Sequence, residues 1–182
     1  MKDNKDDLVK AFNKNQSIGL YLKLIGIAGK VKEKGFSINI NDYVEVSSDK
    51  LASGLIKEIE GKKSFDGLSE IIKDIELVLN SSSETALFCE ADTKNISKAV
   101  LEAYKGITAK LSSGKNSKQE NASNQTAAYQ TMASFAKSAL KPLRALSPNL
   151  SSEIGGDITK RANAMYDELK DGYLSRFEKI WG

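Results

Sequence analysis

Glu70 and Asp74 stand one helical turn apart, near enough for two carboxylates to share a proton or a metal ion. Lys73 sits between them and an apolar stripe runs on the opposite side, so both are predicted to face solvent, where charged residues belong unless paired. Asn39, Asn41, Asp42 and Glu45 form another concentration of oxygen donors, but without the Asp-x-Asp-x-Asp-Gly spacing of a calcium loop. Gly26-Ile27-Ala28-Gly29-Lys30 has the form of the end of a phosphate loop. The loop would need glycine at position 24, which is leucine, and a hydroxyl at position 31, which is valine, so that reading fails.

Histidine is absent from the chain. Its absence removes the Ser-His-Asp and Cys-His nucleophile systems, histidine-containing zinc sites and the Glu-x-x-His di-iron bundles. With Cys89 as the single cysteine, neither an intrachain disulfide nor a cysteine-built zinc or iron–sulfur site can form within one chain. Leu87, Phe88 and Ala91 beside Cys89 predict a small buried apolar residue, not a reactive thiol. An enzyme would have to work through tyrosine, lysine and carboxylates alone. The residue pattern therefore assigns no catalytic residue, metal ligand or cofactor, and the chain is expected to be non-enzymatic.

The 27 basic and 24 acidic residues give a net charge of +3, with lysines alternating with acids along the helical segments instead of gathering into a stripe. Arginine, the usual residue for bidentate phosphate and base-edge contacts, stands only at Arg144, Arg161 and Arg176. Nucleic acid is accordingly not an expected partner. The polar start Met-Lys-Asp-Asn-Lys-Asp-Asp lacks the form of a signal peptide, which suits a cytosolic protein or a mature secreted or surface form and does not separate them. Asn-x-Ser/Thr sequons, including those at Asn80, Asn95, Asn121, Asn124 and Asn149, matter only in a secretory pathway.

The elements that must position these residues follow from hydrophobic spacing. Ile18 to Val31 is apolar on two helical faces at once, which predicts a core helix wrapped by its neighbours. It falls short of the roughly 18 residues that span a bilayer. Gly19, Gly26 and Gly29 weaken it and are read as points where other helices approach closely. A short amphipathic segment, Lys5 to Asn13, precedes it, and Gly35 ends it behind the cations Lys30, Lys32 and Lys34. Phe36 to Val46 alternates with period two and predicts an extended crossover or small hairpin, pinned by Phe36, Ile38 and Tyr43.

Ser47 or Ser48 caps a helix to Glu60 with Leu51, Leu55 and Ile59 inward. Another opens at Ser64 with the regular stripe Phe65, Leu68, Ile72, Ile75 and Leu79, joined by Ile71 and Val78. A break at Asn80 to Ser83 leads to a helix through Leu87, Phe88 and Ala91, with a jog near Asp92 to Asn95, continuing to Leu111. Ser112 to Thr126 is too polar to bury surface and predicts a mobile loop. Ala128 to Leu140 is helical, Pro142 kinks or ends that helix, and Ser147-Pro148 begins a short turn to Ile154. Gly155-Gly156 breaks it again, and Asp157 caps the last helix, whose inward stripe is Ile158, Ala162, Met165, Leu169, Tyr173, Phe177 and Ile180.

The expected fold is one all-α domain over residues 1–182, a bundle of five or six helices with one extended or hairpin segment near 36–46. The expected function is binding a macromolecular partner, a protein in the first instance, in the manner of a secreted or surface factor of a microbe. Tyr173, Phe177, Ile180 and Trp181 are the candidate partner-binding residues, since together they leave much apolar area at a chain end. The alternative is a lipid-binding or membrane-active bundle in which Ile18, Leu20, Tyr21, Leu22, Leu24, Ile25 and Ile27 meet lipid.

Overall fold

A computed structural model describes residues 2–35, 40, 43–81, 87–112 and 120–181; the side chains of 2–5, 81, 112, 120–125 and 173–181 lie outside the described set. The described residues form an all-α bundle of seven helices: α1 Lys2–Lys14, α2 Ile18–Glu33, α3 Ser48–Glu60, α4 Phe65–Ser81, α5 Glu90–Ser112, α6 Glu120–Leu146 and α7 Pro148–Trp181. The count exceeds the expected five or six because α1 is separate from α2, even though α7 is one long element where a break was expected.

The regular stripe of α4 makes it the centre of the molecule. Leu68, Ile71, Ile72, Ile75 and Val78 are all buried, and α4 packs against α2, α3, α5 and α6. Full burial of each such side chain is worth roughly 1.5–3 kcal/mol. At its start, Phe65 meets Phe135 of α6 with ring centroids 4.8 Å apart and Tyr104 of α5 at 5.8 Å, while Tyr104 and Phe135 lie 5.9 Å apart. This aromatic cluster ties α4, α5 and α6 at one level.

The position expected for Ile18 to Val31 is corrected. In α2 only Ile18, Tyr21 and Leu24 are buried, whereas Leu20, Leu22, Ile25, Ile27 and Val31 are half-buried. The helix lies at the side of the bundle against α1, α3 and α4. Apolar residues on two faces predict two covered faces, but only one face of α2 has a full set of neighbours. Its glycines do not mark close approaches either: a Cβ at Gly19, Gly26 or Gly29 would meet nothing within 4 Å. The Gly35 stop matches expectation, and a serine cap not read from the sequence opens the helix. Ser17 Oγ accepts from the Leu20 N–H at 3.3 Å, and Gly35, at φ +81°, takes the left-handed conformation that closes the helix.

Among the described residues of 36–46 there is no strand. Backbone N–H groups of Tyr43 and Val44 donate to Ile40 O at 3.0 and 3.1 Å, which makes a turn. Val44 is the buried anchor and Tyr43 is exposed, contrary to expectation; Phe36 and Ile38 lie outside the described residues. The crossover is held instead by Gln16. Its side-chain amide donates to Glu45 O at 2.8 Å and accepts from the Ser47 N–H at 2.9 Å, so a side chain satisfies the backbone groups that a second strand would have taken.

Further corrections concern helix ends. Cys89 is exposed and caps α5: its N–H donates to Asp92 Oδ2 at 3.1 Å, and its Sγ accepts from the Asp92 N–H at 3.5 Å. The polar neighbour three residues on, not the apolar ones beside it, decides where Cys89 sits. No jog interrupts α5 near Asp92 to Asn95. Part of the expected loop is helical, since α6 begins at Glu120 and residues 113–119 lie outside the described set. Once a helix is nucleated by packing at Met132 and Phe135, adding polar turns outward costs little. Pro142 lies inside α6, which continues to Leu146.

Ser147 caps α7 as expected, accepting from the Leu150 N–H at 3.3 Å, but Gly155-Gly156 does not break that helix. Buried Leu150, Ile154 and Ile158 flank the pair, and their burial exceeds the roughly 1 kcal/mol each glycine costs a helix. At Gly155 a Cβ would make only ordinary contact with Leu140 of α6, whose Cδ1 would lie 3.5 Å away. Ser151 Oγ donates to Leu140 O at 2.8 Å and closes the α6–α7 contact.

Candidate functional site

The buried stripe of α5 is Ile96, Val100, Tyr104 and Ile107. On the adjoining face, Asn95, Lys98, Ala99, Glu102, Ala103, Gly106 and Lys110 recur at helical spacing along one edge of a groove. Ile56 and Glu60 of α3, with Lys62 and Lys63 from the turn into α4, form the opposite wall. The groove encloses about 550 Å³, within the range of binding sites. From Asn95 to Lys110 it follows α5 for four turns, roughly 22 Å.

The floor is apolar, and three of its four residues are small. Ala99 and Ile107 are buried, Ala103 is half-buried, and a Cβ at Gly106 would meet nothing within 4 Å. Around the floor stand four lysines, Lys62, Lys63, Lys98 and Lys110, against the two acids Glu60 and Glu102, a balance of +2. Glu102 Oε1 lies 3.7 Å from Lys105 Nζ in an exposed pair, and Lys63 Nζ donates to Glu60 O at 3.1 Å.

Lys62 also lies near enough to Glu58 and Asp74, neither of which lines the groove, to act on both carboxyls. Burial raises the pKa of both carboxyls, and the Lys62 ammonium partly offsets that rise in each; mutual repulsion with Asp74 adds to the rise in Glu58, and repulsion from Glu70 to that in Asp74. Asp74 is half-buried, contrary to the expectation that it faces solvent, while Glu70 is exposed as expected. No group of three or more Cys, Asp or Glu side chains stands close enough to hold a metal ion among the described residues.

Behind the groove, Tyr104 holds α5 to α7. Its hydroxyl donates to Asp157 Oδ2 at 2.7 Å, and Arg161 Nε donates to the same oxygen at 2.7 Å. Burial, and then the Asp157 carboxylate, push the Tyr104 phenol far above its usual pKa. For Asp157, burial alone would raise the pKa, but hydrogen bonds from Arg161 and Tyr104 outweigh it and hold the carboxyl below its usual range. These bonds join α5, one wall of the groove, to α7.

No protein family, curated protein or solved structure matches this chain. Its function must be read from its own surfaces.

The candidate residues at the chain end, Tyr173, Phe177, Ile180 and Trp181, have their backbone in α7 and their side chains outside the described residues. Along α2, a cavity of about 20 Å³ is lined by Val9, Leu24, Ile27, Ala28, Ile40, Tyr43 and Val44. That is water-sized, far below what a ligand needs. The groove itself escaped the sequence reading, although Ala99, Ala103 and Gly106 stand beside Lys98, Glu102 and Lys110 at a common helical spacing. A row of small residues bordered by charges was the available signal.

Proposed function

We propose that this protein is a binding module that holds a macromolecular partner, a protein, in the groove between α3 and α5. The observation that carries this reading is the groove's form: an apolar floor of small residues, four turns long, bordered by four lysines and two acids. Apolar floors supply affinity and charged rims supply orientation and rate. The test compares the immobilised chain with a Lys98→Glu, Gly106→Leu variant in an extract of the cells that make it. A protein retained by the first and lost from the second is expected; equal retention by both, or none by either, overturns the reading.

A second reading is favoured by one feature of α2. Half-buried Leu20, Leu22, Ile25 and Ile27 share that helix with exposed Lys23, Lys30 and Lys32, an arrangement suited to lying on an anionic lipid surface. No described helix is long and apolar enough to cross a membrane, so contact would be superficial unless α2 left the bundle. Buried Ile18, Tyr21 and Leu24 would be reached only in that event. Co-sedimentation with vesicles containing phosphatidylglycerol is the test, and absence of binding at neutral and acidic pH removes this reading.

A further inference from the structure

From the groove's dimensions and charge we infer that its occupant is an acidic amphipathic helix of about 15 residues, the length that four turns of α5 can accommodate. The inference rests on the α3–α5 groove being the partner site and adds the chemical class of the partner.

Three observations converge on a helix of that character. Ala99, Ala103 and Gly106 present almost no side chain along α5, and a facing helix can approach such a row closely. The open space over Gly106, where a Cβ would touch nothing within 4 Å, is room for an inserted apolar side chain. Ile56, Ala99 and Ile107 offer it an apolar surface. An extended strand would need an exposed sheet edge, and the described residues contain no strand. A helix meeting this groove would place leucine-like residues at i, i+3, i+4 and i+7 on the floor.

The charge fixes the helix's flanks. Lys98 borders the groove on α5 and Lys62 and Lys63 at the turn, so acidic side chains on both edges of the incoming helix would meet cations. Glu60 and Glu102 would repel a uniformly acidic rod, which favours a helix with acids at its flanks and an apolar centre. Arginine does not line the groove, so the planar fork that grips phosphates in pairs is missing from it.

The test is selection from a displayed library of random peptides of about 15 residues, using the full folded chain as bait. Expected are sequences of net negative charge with apolar residues at helical spacing, binding about tenfold or more weakly to Lys98→Glu and to Gly106→Leu. Gly106→Leu adds a better helix former in open space, so its thermal melt should be no lower than that of the parent and lost binding would report a filled groove. Enrichment of basic or non-periodic sequences, no enrichment, or binding that survives both substitutions overturns the inference. So does binding of a duplex RNA or of phosphatidylglycerol vesicles that both substitutions abolish while the peptides are ignored. If the extract partner is lost from the groove variants but no acidic helical consensus emerges, the occupant class is wrong and the groove stands as the partner site. If the variants keep the extract partner, both readings fail.

Discussion

The Tyr104 hydroxyl and the Asp157 carboxylate, 53 residues apart in sequence, meet at 2.7 Å and join α5 to α7. Arg161 binds the same oxygen, so one carboxylate oxygen serves two donors from two elements. Tyr104→Phe keeps the ring in its aromatic cluster and removes only this bond. Because Asp157 is partly solvated, the expected loss is about 1–2 kcal/mol, read from urea unfolding at neutral pH. The pH dependence follows from the raised phenol pKa. The Tyr104 contribution is fully present below the ordinary tyrosine pKa of about 10 and is lost as pH rises through the higher folded value. The phenylalanine variant should therefore lose part of the parent's alkaline decline in stability; identical alkaline limbs would refute the assignment.

Glu58 and Asp74 act in the opposite direction from a stabilising salt bridge. Their folded pKa values are raised, so the folded state is favoured by their protonation. That contribution is present below the ordinary carboxylate pKa of about 4 and is lost as pH rises through the raised folded values. Asp74→Asn should be at least as stable as the parent at neutral pH, with the difference shrinking as both are acidified. Lys62→Met should be less stable at neutral pH, because the two carboxylates would lose the cation that offsets their burial. Chemical denaturation across that pH range checks both signs.

Gln16 holds the backbone at Glu45 and Ser47, and its removal should be felt at the crossover. Gln16→Ala leaves Glu45 O and the Ser47 N–H without their partner and is expected to cost about 2 kcal/mol. Gln16→Glu retains the acceptor for the Ser47 N–H but loses the donor to Glu45 O, so it should also destabilise. Gln16→Met restores volume without either bond. A methionine variant as stable as the parent would show that packing alone, and not the paired hydrogen bonds, holds the segment.

Two sets of glycines should respond in opposite senses to alanine. At Gly54 a Cβ would lie 2.9 Å from the backbone oxygen of Gln16, so α3 or the Gln16 segment must move, at an expected cost of about 1–3 kcal/mol. At Gly26 and Gly29 a Cβ has open space inside a helix, and each alanine should stabilise by about 0.5–1 kcal/mol. Thermal unfolding of the three single variants tests the contrast. A neutral Gly54→Ala together with a destabilising Gly26→Ala would mean that α2 and α3 sit otherwise than described.

Much of the bundle was legible because burial in helices leaves a local period. The α4 stripe from Phe65 to Val78, the inward Leu51, Leu55 and Ile59 of α3, the Gly35 stop and the Ser147 cap all occupy the places their spacing predicts. Those signals lie within one or two turns of chain. The extent of burial of α2 was not legible: Leu20 and Leu24 look alike in sequence, and only neighbouring helices make one half-exposed and the other buried. The continuity of α7 through Gly155-Gly156 was hidden for the same reason, since a local penalty is overcome by burial against α6.

The sequence by itself determined that this chain makes helices, which faces of most of them turn inward, and that histidine-based chemistry is closed to it. Tertiary structure alone decided that Gln16 would meet Glu45 and Ser47, that Tyr104 would meet Asp157, and that α3 and α5 would leave a lysine-bordered groove between them. The reason is physical. Hydrophobic period and capping are properties of consecutive residues, whereas a groove and a hydrogen bond between distant residues exist only after packing has set the distances between helices.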